Sequence, residues 1–591
     1  MLNHGIIGNE RILALVSPEQ SIDWLCMPSF DSPSVFGRIL DDENGGRFQI
    51  VHAIQGNNLK YVENTNVLRA MWQNAEHGYE LFDFAPRIVR GLSIDSPPEI
   101  IRILKPLKGR PRLRVRFDPR PDYARVKPEF SLHGETVVVS GPDLKFYLYS
   151  NLPMDALLQG NEFILDTEIY FVFSCYRREN HPNLAEANYL LDSTIQGWRA
   201  WAKTCSLPTF EPAAVLRSAL CLKLHTYKDT GAVIAAATTS IPEALGTERT
   251  WDYRYCWLRD AAFVVEALRR LSHLTEGEAF IRYLRNVVES GPIQPLYSIH
   301  GHNRLEERFL PHLAGYKNNG FVRIGNAAFG QRQNDLMGEV ILCLETFLTD
   351  PRIILDDEAS IFPLVERMVE EAIVSAPEND TGIWEFRSML RPYSFSRAMC
   401  WVAIQRGSVL ARRLGKENHA LRWEKIAEQE REIVLRRAYN EKLGFFTQAL
   451  DGQYPDASNL LFPTIGIIDA KDPRFVSTVR KYEELLMQRG LLLRYRNEDD
   501  FGETTSAFTI CSFWWCEALA LMGELDEAIE LFGRMKRYAN PLGLYSEDVD
   551  PSTGELIGNF PQAYTHVGLI HTAMTIGELL EAREGRVRAW T

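Results

Sequence analysis

The chain has 591 residues, 45% of them apolar and 24% charged, with a net charge of −13 at pH 7. That length exceeds what one hydrophobic core serves, so two or more domains are expected. The acidic balance excludes a nucleic-acid partner, whose phosphates need a basic face, and no apolar run approaches the roughly 20 residues of a membrane span.

The first residues, Met1-Leu2-Asn3-His4-Gly5-Ile6-Ile7, lack the basic-then-apolar pattern of a signal peptide. Neither end carries a lipidation pattern. The nine cysteines are scattered, and Cys511 and Cys516 are too far apart for a C-x-x-C pair. No metal site and no cofactor are expected from such spacing, and the thiols read as small buried hydrophobes in a reducing compartment. A cytoplasmic protein without a membrane partner follows. A homo-oligomer is neither required nor excluded.

Residues 1–181 read as short strands. Ser21-Ile22-Asp23-Trp24-Leu25-Cys26 follows a turn, Leu113-Arg114-Val115-Arg116-Phe117 alternates with period two, and Glu168–Phe173 is rich in aromatic and β-branched residues. Short strands punctuated by Gly, Pro and Asp predict an antiparallel β-sandwich. Residues 182–208 form a helical linker, opened by His181-Pro182-Asn183 and striped with Leu184, Leu191, Ile195, Trp198 and Trp201. Residues 209–591 read as helical, with candidate helices at about 212–228, 260–272, 277–289, 335–349, 361–375, 396–414, 418–438, 472–489, 506–522, 525–538 and 562–583. Asp335 and Ser396 are candidate N-caps. Long loops rich in Trp, Arg, Asp, Gly and Asn return between these helices, and such loops are uncommon unless functional. Helical hairpins in this number suit a closed ring.

Five of these loops carry candidate chemistry. Thr250–Asp260 holds Trp251, Tyr253 and Trp257 with Arg259 and Asp260, a mix of aromatic wall and polar groups suited to a sugar ring. It also fits a surface network of arginines and aspartates. Asn326–Asp335 clusters polar side chains, with Arg332 and Gln333 as candidate contacts, and equally fits a capped loop. Thr381–Arg391 holds Glu385 between Trp384 and Phe386. Desolvation by flanking rings would raise its pKa and suit it to general acid work, although a surface Glu beside two core aromatics reads the same. In Arg494–Asp500 a charge run contains Arg494, open between a sugar contact and a solvated face. Gly543–Asp550 places Glu547 beside Tyr545, and its spacing fails that of a calcium loop.

Together these stretches resemble glycoside hydrolase family 15, which includes glucoamylases, glucodextranases and bacterial and archaeal trehalases. The likeness is carried by Trp251–Asp260, Gly382–Arg387, Tyr545–Asp548 and Gly558–Ala563, with Ser21–Cys26 and Phe30–Phe36 similar to the family's sandwich domain. It implies a β-sandwich followed by an (α/α)6 barrel, and cleavage with inversion. It implies that Glu385 is the general acid and Glu547 the general base. Trp257, Arg259 and Asp260 would line the pocket for the terminal glucose, with Arg494 as a further contact. Where the sandwich-bearing branch has a Glu-Gly-Ala-Phe run, this chain has Thr505-Ser506-Ala507-Phe508, a departure expected near the pocket rim.

The resulting expectation is an exo-acting hydrolase of small α-glucosides that releases β-D-glucose from the non-reducing end. An α,α-trehalase is the alternative. Further alternatives are an inverting phosphorylase, which needs no general base, and a non-catalytic sugar-binding protein. The Phe30–Phe36 loop is expected to pack against the barrel mouth.

Overall fold

The computed structural model describes residues 2–52, 58–91, 93–353 and 361–585. Two antiparallel sheets form the N-terminal part. The first runs Gly5–Gly8, Leu13–Val16, Ser21–Cys26, Arg47–His52, Arg112–Asp118 and Phe163–Ile164, with Ser34–Phe36 against Ser21–Cys26. The second runs Glu129–His133, Thr136–Ser140, Lys145–Ser150, Ile169–Ser174, Glu99–Lys108, Gly78–Phe84, Leu68–Gln73 and Leu59–Tyr61. In Arg112–Asp118 the apolar Leu113 and Val115 are buried while Arg112, Arg114 and Arg116 are exposed, as period-two side-chain alternation requires.

An aromatic layer joins the sheets. Phe48 meets Phe171, and Phe36 and Phe117 both meet Phe173, at ring-centroid distances of 5.5, 5.5 and 5.7 Å. Arg102 is fully buried beside this layer and paired with Asp83 at 2.7 Å. Its remaining donors go to the carbonyls of Phe48 and Gln20, so the charge is compensated on every side.

Asn183 caps the helix Leu184–Lys203 by accepting from Glu186 N. This helix lies on the second sheet, with Arg87 stacked over Trp198 at 4.4 Å. The barrel follows. Its inner wall is a closed ring in which Leu258–Arg270 touches Leu336–Leu348, then Ser394–Arg413, the short 3-10 helix Ala457–Leu461, Thr509–Met522, Ala563–Arg583 and Leu258–Arg270 again. Pro212–His225, Thr275–Glu289, Phe362–Ser375, Glu417–Arg437, Pro473–Leu486 and Leu525–Lys536 form the outer layer. The predicted sandwich and helical ring are thus observed. The inner segment Ala457–Leu461 was not foreseen, because one 3-10 turn is too short to show helical periodicity.

The two expected caps are diverted. Asp335 occupies an N-cap position, but its side chain makes no cap bond and stands 3.5 Å from Arg259. Ser396 lies inside its helix and donates to Asp380.

Gly338 lets one inner helix approach the next closely. A methyl group there would lie 2.2 Å from the Met399 carbonyl oxygen. Gly338→Ala is therefore expected to destabilise by about 1–3 kcal/mol through overpacking. Thermal unfolding followed by circular dichroism checks this, and an unchanged Tm would mean the helices stand further apart.

Candidate active site

A cavity opens where the inner helices begin. Its wall includes Trp257, Arg259 and Asp260 at one helix start, Trp384 and Glu385, Arg494 and Tyr495, Phe508 at the start of another helix, and Gln562 and Tyr564 at the last. Its volume, counting the open mouth, is about 880 Å³, within the range of small-ligand sites. Helix N-termini leave backbone N–H groups unpaired and carry partial positive charge. The acidic side chains gathered here sit in that favourable field.

The segment Trp251–Trp257 builds one side. Its backbone runs antiparallel to residues 235–240, with Ser240 N bonded to Trp251 O, Ala236 N to Tyr253 O and Ala235 N to Tyr255 O. Trp251, Tyr253 and Trp257 reach the cavity, while Asp252 and Arg254 are fully buried away from it and a bend at Tyr255 takes that ring off the wall.

Trp257 Nε1 donates to Glu385 Oε1 at 2.6 Å. Gln333 Nε2 at 3.1 Å and Arg259 Nη2 at 3.3 Å converge on the same oxygen. With Oε1 taken by three donors, Oε2 is the oxygen left to carry a transferable proton. The Glu385 backbone has φ of 60°, a left-handed conformation that costs a non-glycine residue roughly 1–2 kcal/mol. Gln331 Nε2 holds the Glu385 carbonyl at 3.0 Å and opposes relaxation. The expected covering of the carboxylate by its flanking rings is not what is found. Trp384 donates to Asp456 at 2.9 Å, and Phe386 stacks on Tyr393 at 5.4 Å. The environment of Glu385 is set by Trp257, Gln333 and Arg259 instead.

Glu547 is fully buried. Its Oε1 accepts from Tyr253 OH at 2.7 Å, and its Oε2 from Asn559 N at 3.3 Å. Burial, with Glu243 and Asp548 nearby, pushes its carboxyl well above the usual range, while Tyr253 and Arg494 oppose the shift. Asp548 is pushed up to about 7, first by burial and then by Glu243, again opposed by Arg494. Burial and the Glu547 charge hold the Tyr253 hydroxyl protonated, so it acts as donor. Glu243 accepts from Trp251 Nε1 at 2.7 Å and pairs with Arg494. One arginine thus serves three acidic groups.

Arg259 plays the same part on the opposite wall, 3.4 Å from Asp260, 3.5 Å from Asp335 and 3.3 Å from Glu385. Burial pushes Asp260 up to about 6 against the pull of Arg259. Asp260 Oδ2 and Arg259 Nε face each other at 3.4 Å, both shielded from solvent and without a hydrogen bond of good geometry.

The outer wall is a strap. Arg249 holds Asp499 through two bonds of 2.8 and 2.6 Å and reaches Gly502 O at 2.9 Å. The Asp500 carboxylate accepts from Arg387 N at 2.5 Å and from Ser388 N at 2.9 Å, on the loop that carries Glu385. The charge run at 494–500 is therefore not a solvated face. Arg494 and Asp499 are buried within it.

Two expected contacts are overturned. Tyr545 is buried behind the site, edge-on to Phe513 and His566, with its hydroxyl toward Lys536 O. Two residues on, Glu547 instead bonds the cavity-lining Tyr253. Arg332 is half-exposed, its charge 3.7 Å from Glu378. It sits on the outer side of a loop whose inner side carries Gln331 and Gln333. Gln333 is off the cavity wall and acts as a clamp on Glu385 and Arg259. Glu243, Arg249 and Asp500 were missed, since each lies in a stretch whose role depends on partners over 100 residues away. Ser506 is off the rim as well, donating to Asp548 at 2.8 Å. Among the described residues no cluster of His, Cys, Asp and Glu has the form of a metal site, and no helix is long and apolar enough to cross a membrane.

Residues 211–574 match the model of glycosyl hydrolases family 15, and residues 2–152 match a trehalase-like N-terminal domain. A trehalase of Mycolicibacterium smegmatis is 35% identical over 97% of this chain and 91% of its own length. A trehalase of Thermoplasma volcanium is 32% identical over 99% of this chain and 95% of its own. Among solved structures, a bacterial glucoamylase complexed with acarbose superposes with a TM-score of 0.72 at 14% identity, covering 98% of this chain and 94% of that one. The chain belongs to glycosyl hydrolases family 15 and is a glycosidase acting on O-glycosyl bonds.

Proposed function

We propose that this glycosidase hydrolyses α,α-trehalose with inversion. The observation that carries the reading is that Tyr253 and Trp257, two cavity-facing residues of one short stretch, each hold a carboxylate, Glu547 and Glu385. Glu385 delivers a proton to the glycosidic oxygen. Glu547 takes a proton from the water that attacks the anomeric carbon from the opposite side, an arrangement in which the two carboxyls flank the bond about 6.5–9.5 Å apart. Trp257, Arg259 and Asp260 receive the terminal glucose, and Trp251, Trp384 and Arg494 complete its surroundings. Relatives named trehalase, similar along nearly the whole chain, favour trehalose over the maltooligosaccharides that the sequence first suggested. A strap closing the outer wall suits a disaccharide better than a chain. A carboxylate placed as base favours water over phosphate.

Only one of the two anomeric bonds of trehalose breaks. Inversion therefore yields one β-glucose and one α-glucose, and retention yields α-glucose alone. Proton NMR of fresh product is expected to show both anomers in equal amounts, without added phosphate. Initial α-glucose alone, or release of glucose 1-phosphate, overturns the assignment. Glu385→Gln is expected to lose about 10²–10⁴-fold in kcat while still binding trehalose by calorimetry.

The base must be ionised to work, and its carboxyl is held high. The acid limb of kcat/KM is thus expected above the ordinary glutamate value of about 4.3. Removing a neighbouring negative charge lowers that pKa, so Glu243→Gln should move the limb to lower pH, read from full pH–rate profiles.

Asp500→Ala releases the strap from Arg387 and Ser388. The ratio of kcat/KM for maltotriose to that for trehalose is expected to rise, measured by glucose release. An unchanged ratio would deny the strap a role in selecting disaccharides.

A further inference from the structure

We propose that the sandwich domain is part of the catalytic apparatus, with Arg254 as the positioning residue through which it holds the Trp251–Trp257 segment in place. The inference rests on the assignment of Glu385 and Glu547, since it concerns how their partners are aimed.

Arg254 is fully buried. Its Nε and Nη2 bond both oxygens of Asp252 at 2.8 and 2.6 Å. Its other three bonds leave the barrel, one of them from Nη1 to Cys26 Sγ at 3.4 Å. Nη1 donates to Ser32 O at 2.8 Å, and Nη2 donates to Tyr123 OH at 2.8 Å. Its guanidinium also lies over the rings of Tyr123 and Trp24, at 5.4 and 5.8 Å. Ser32, Tyr123 and Trp24 all belong to the sandwich. Ser32 lies within the Phe30–Phe36 loop expected to pack on the barrel, and it meets not the mouth but the back of the cavity wall.

The consequence comes from which way this stretch turns its side chains. Arg254 directly follows Tyr253, the donor to Glu547, and stands three residues before Trp257, the donor to Glu385. Both donors point away from Arg254. A guanidinium fixed by five hydrogen bonds sets the height and twist of this stretch, and so the direction of the two donors in front of it. Asp252 extends the anchor, because its Oδ2 also accepts from Gly325 N at 3.2 Å, on the loop that leads to Gln331 and Gln333. Trp24 Nε1 donates to Ala237 O at 2.7 Å, pinning the neighbouring strand to the same domain. His312 reaches Tyr123 O at 2.7 Å, so Tyr123 is itself held from the barrel side.

The test uses the full chain and the glucoside that the wild type cleaves. Tyr123→Phe removes one hydrogen bond across the domains and leaves the Arg254–Asp252 pair intact. Arg254→Lys keeps the charge but not the planar fork, and Arg254→Met removes both. Positioning predicts that kcat falls in each while KM changes little, in the order Tyr123→Phe, Arg254→Lys, Arg254→Met. A displacement of donors on the ångström scale corresponds to a loss of about 10²-fold. It also predicts an acid limb shifted to higher pH, because a loosened Tyr253 bond stabilises the Glu547 charge less. Glu243, Asp548 and Arg494, the other charged groups facing Glu547, are untouched by these changes. A lower Tm with wild-type kcat and an unmoved pH profile, measured where the variants remain folded, would overturn the proposal. If Arg254→Met does not fold, Tyr123→Phe decides alone. A wild type that cleaves no glucoside would refute the functional reading instead, so the two failures are distinct.

Discussion

The site depends on the stretch 251–257 being held by backbone bonds to its neighbours. The carbonyls of Trp251, Tyr253 and Tyr255 accept from Ser240, Ala236 and Ala235 N, Cys256 and Trp257 pair with Tyr297 and Leu296, and Ala563 N bonds Ala235 O from the last inner helix. That pairing turns Trp251, Tyr253 and Trp257 to the cavity. The ligand-facing row, Trp251, Tyr253 and Trp257, holds Glu243, Glu547 and Glu385 in turn. Three carboxylates from three distant parts of the chain are therefore placed by a single register. A slip of one residue would exchange the aromatic row for Asp252 and Arg254 and dismantle the site at a stroke.

The second constraint is charge. Carboxylates crowd the helix starts, and the buried cations among them are few and shared. Arg259 stands near Asp260, Asp335 and Glu385, while Arg494 pairs with Glu243 and lowers the carboxyls of Glu547 and Asp548. Burying an ion is costly unless geometry and hydrogen bonds compensate it. Here compensation is incomplete: Asp260 Oδ2 has its cation at 3.4 Å but no hydrogen bond of good geometry. The left-handed backbone at Glu385 belongs to the same pattern. Strain is kept where the surroundings, through Gln331 and the Gly382 carbonyl, over-determine the conformation.

Much of this was legible in the sequence, and the failures share a cause. Strand alternation in Arg112–Asp118 and the long inner helices announce themselves by period, because their burial is one-sided and repeated. Trp251, Tyr253, Trp257, Arg259 and Asp260 stand out because aromatic and charged residues rarely crowd together. Tyr545 and Arg332 were misjudged because neighbours in sequence point to different sides of a loop, and spacing alone does not say which. Asp335 was read as a cap because a cap and a network carboxylate look alike before the partner, Arg259, is known. Glu243 and Arg249 could not be seen at all. Each is ion-paired with a residue about 250 positions away, Arg494 and Asp499.

In the roles we propose for them, Glu385 and Glu547 would use one residue type in two ways. Glu385 lies on the cavity wall, its side chain 22% exposed, while Glu547 is enclosed behind Tyr253. A buried carboxylate with a raised pKa at first looks unsuited to act as base. Yet a general base works best when its pKa lies near the operating pH, because proton affinity then combines with a useful ionised fraction. An ordinary carboxylate is fully ionised at neutral pH but is a weak acceptor. Burial, with Glu243 and Asp548 nearby, raises the Glu547 carboxyl, and Tyr253 and Arg494 oppose the rise. The environment of Glu547 is thus a balance between opposed contributions rather than a simple stabilisation of charge, and Glu243 is the neighbour that tilts it toward greater basicity.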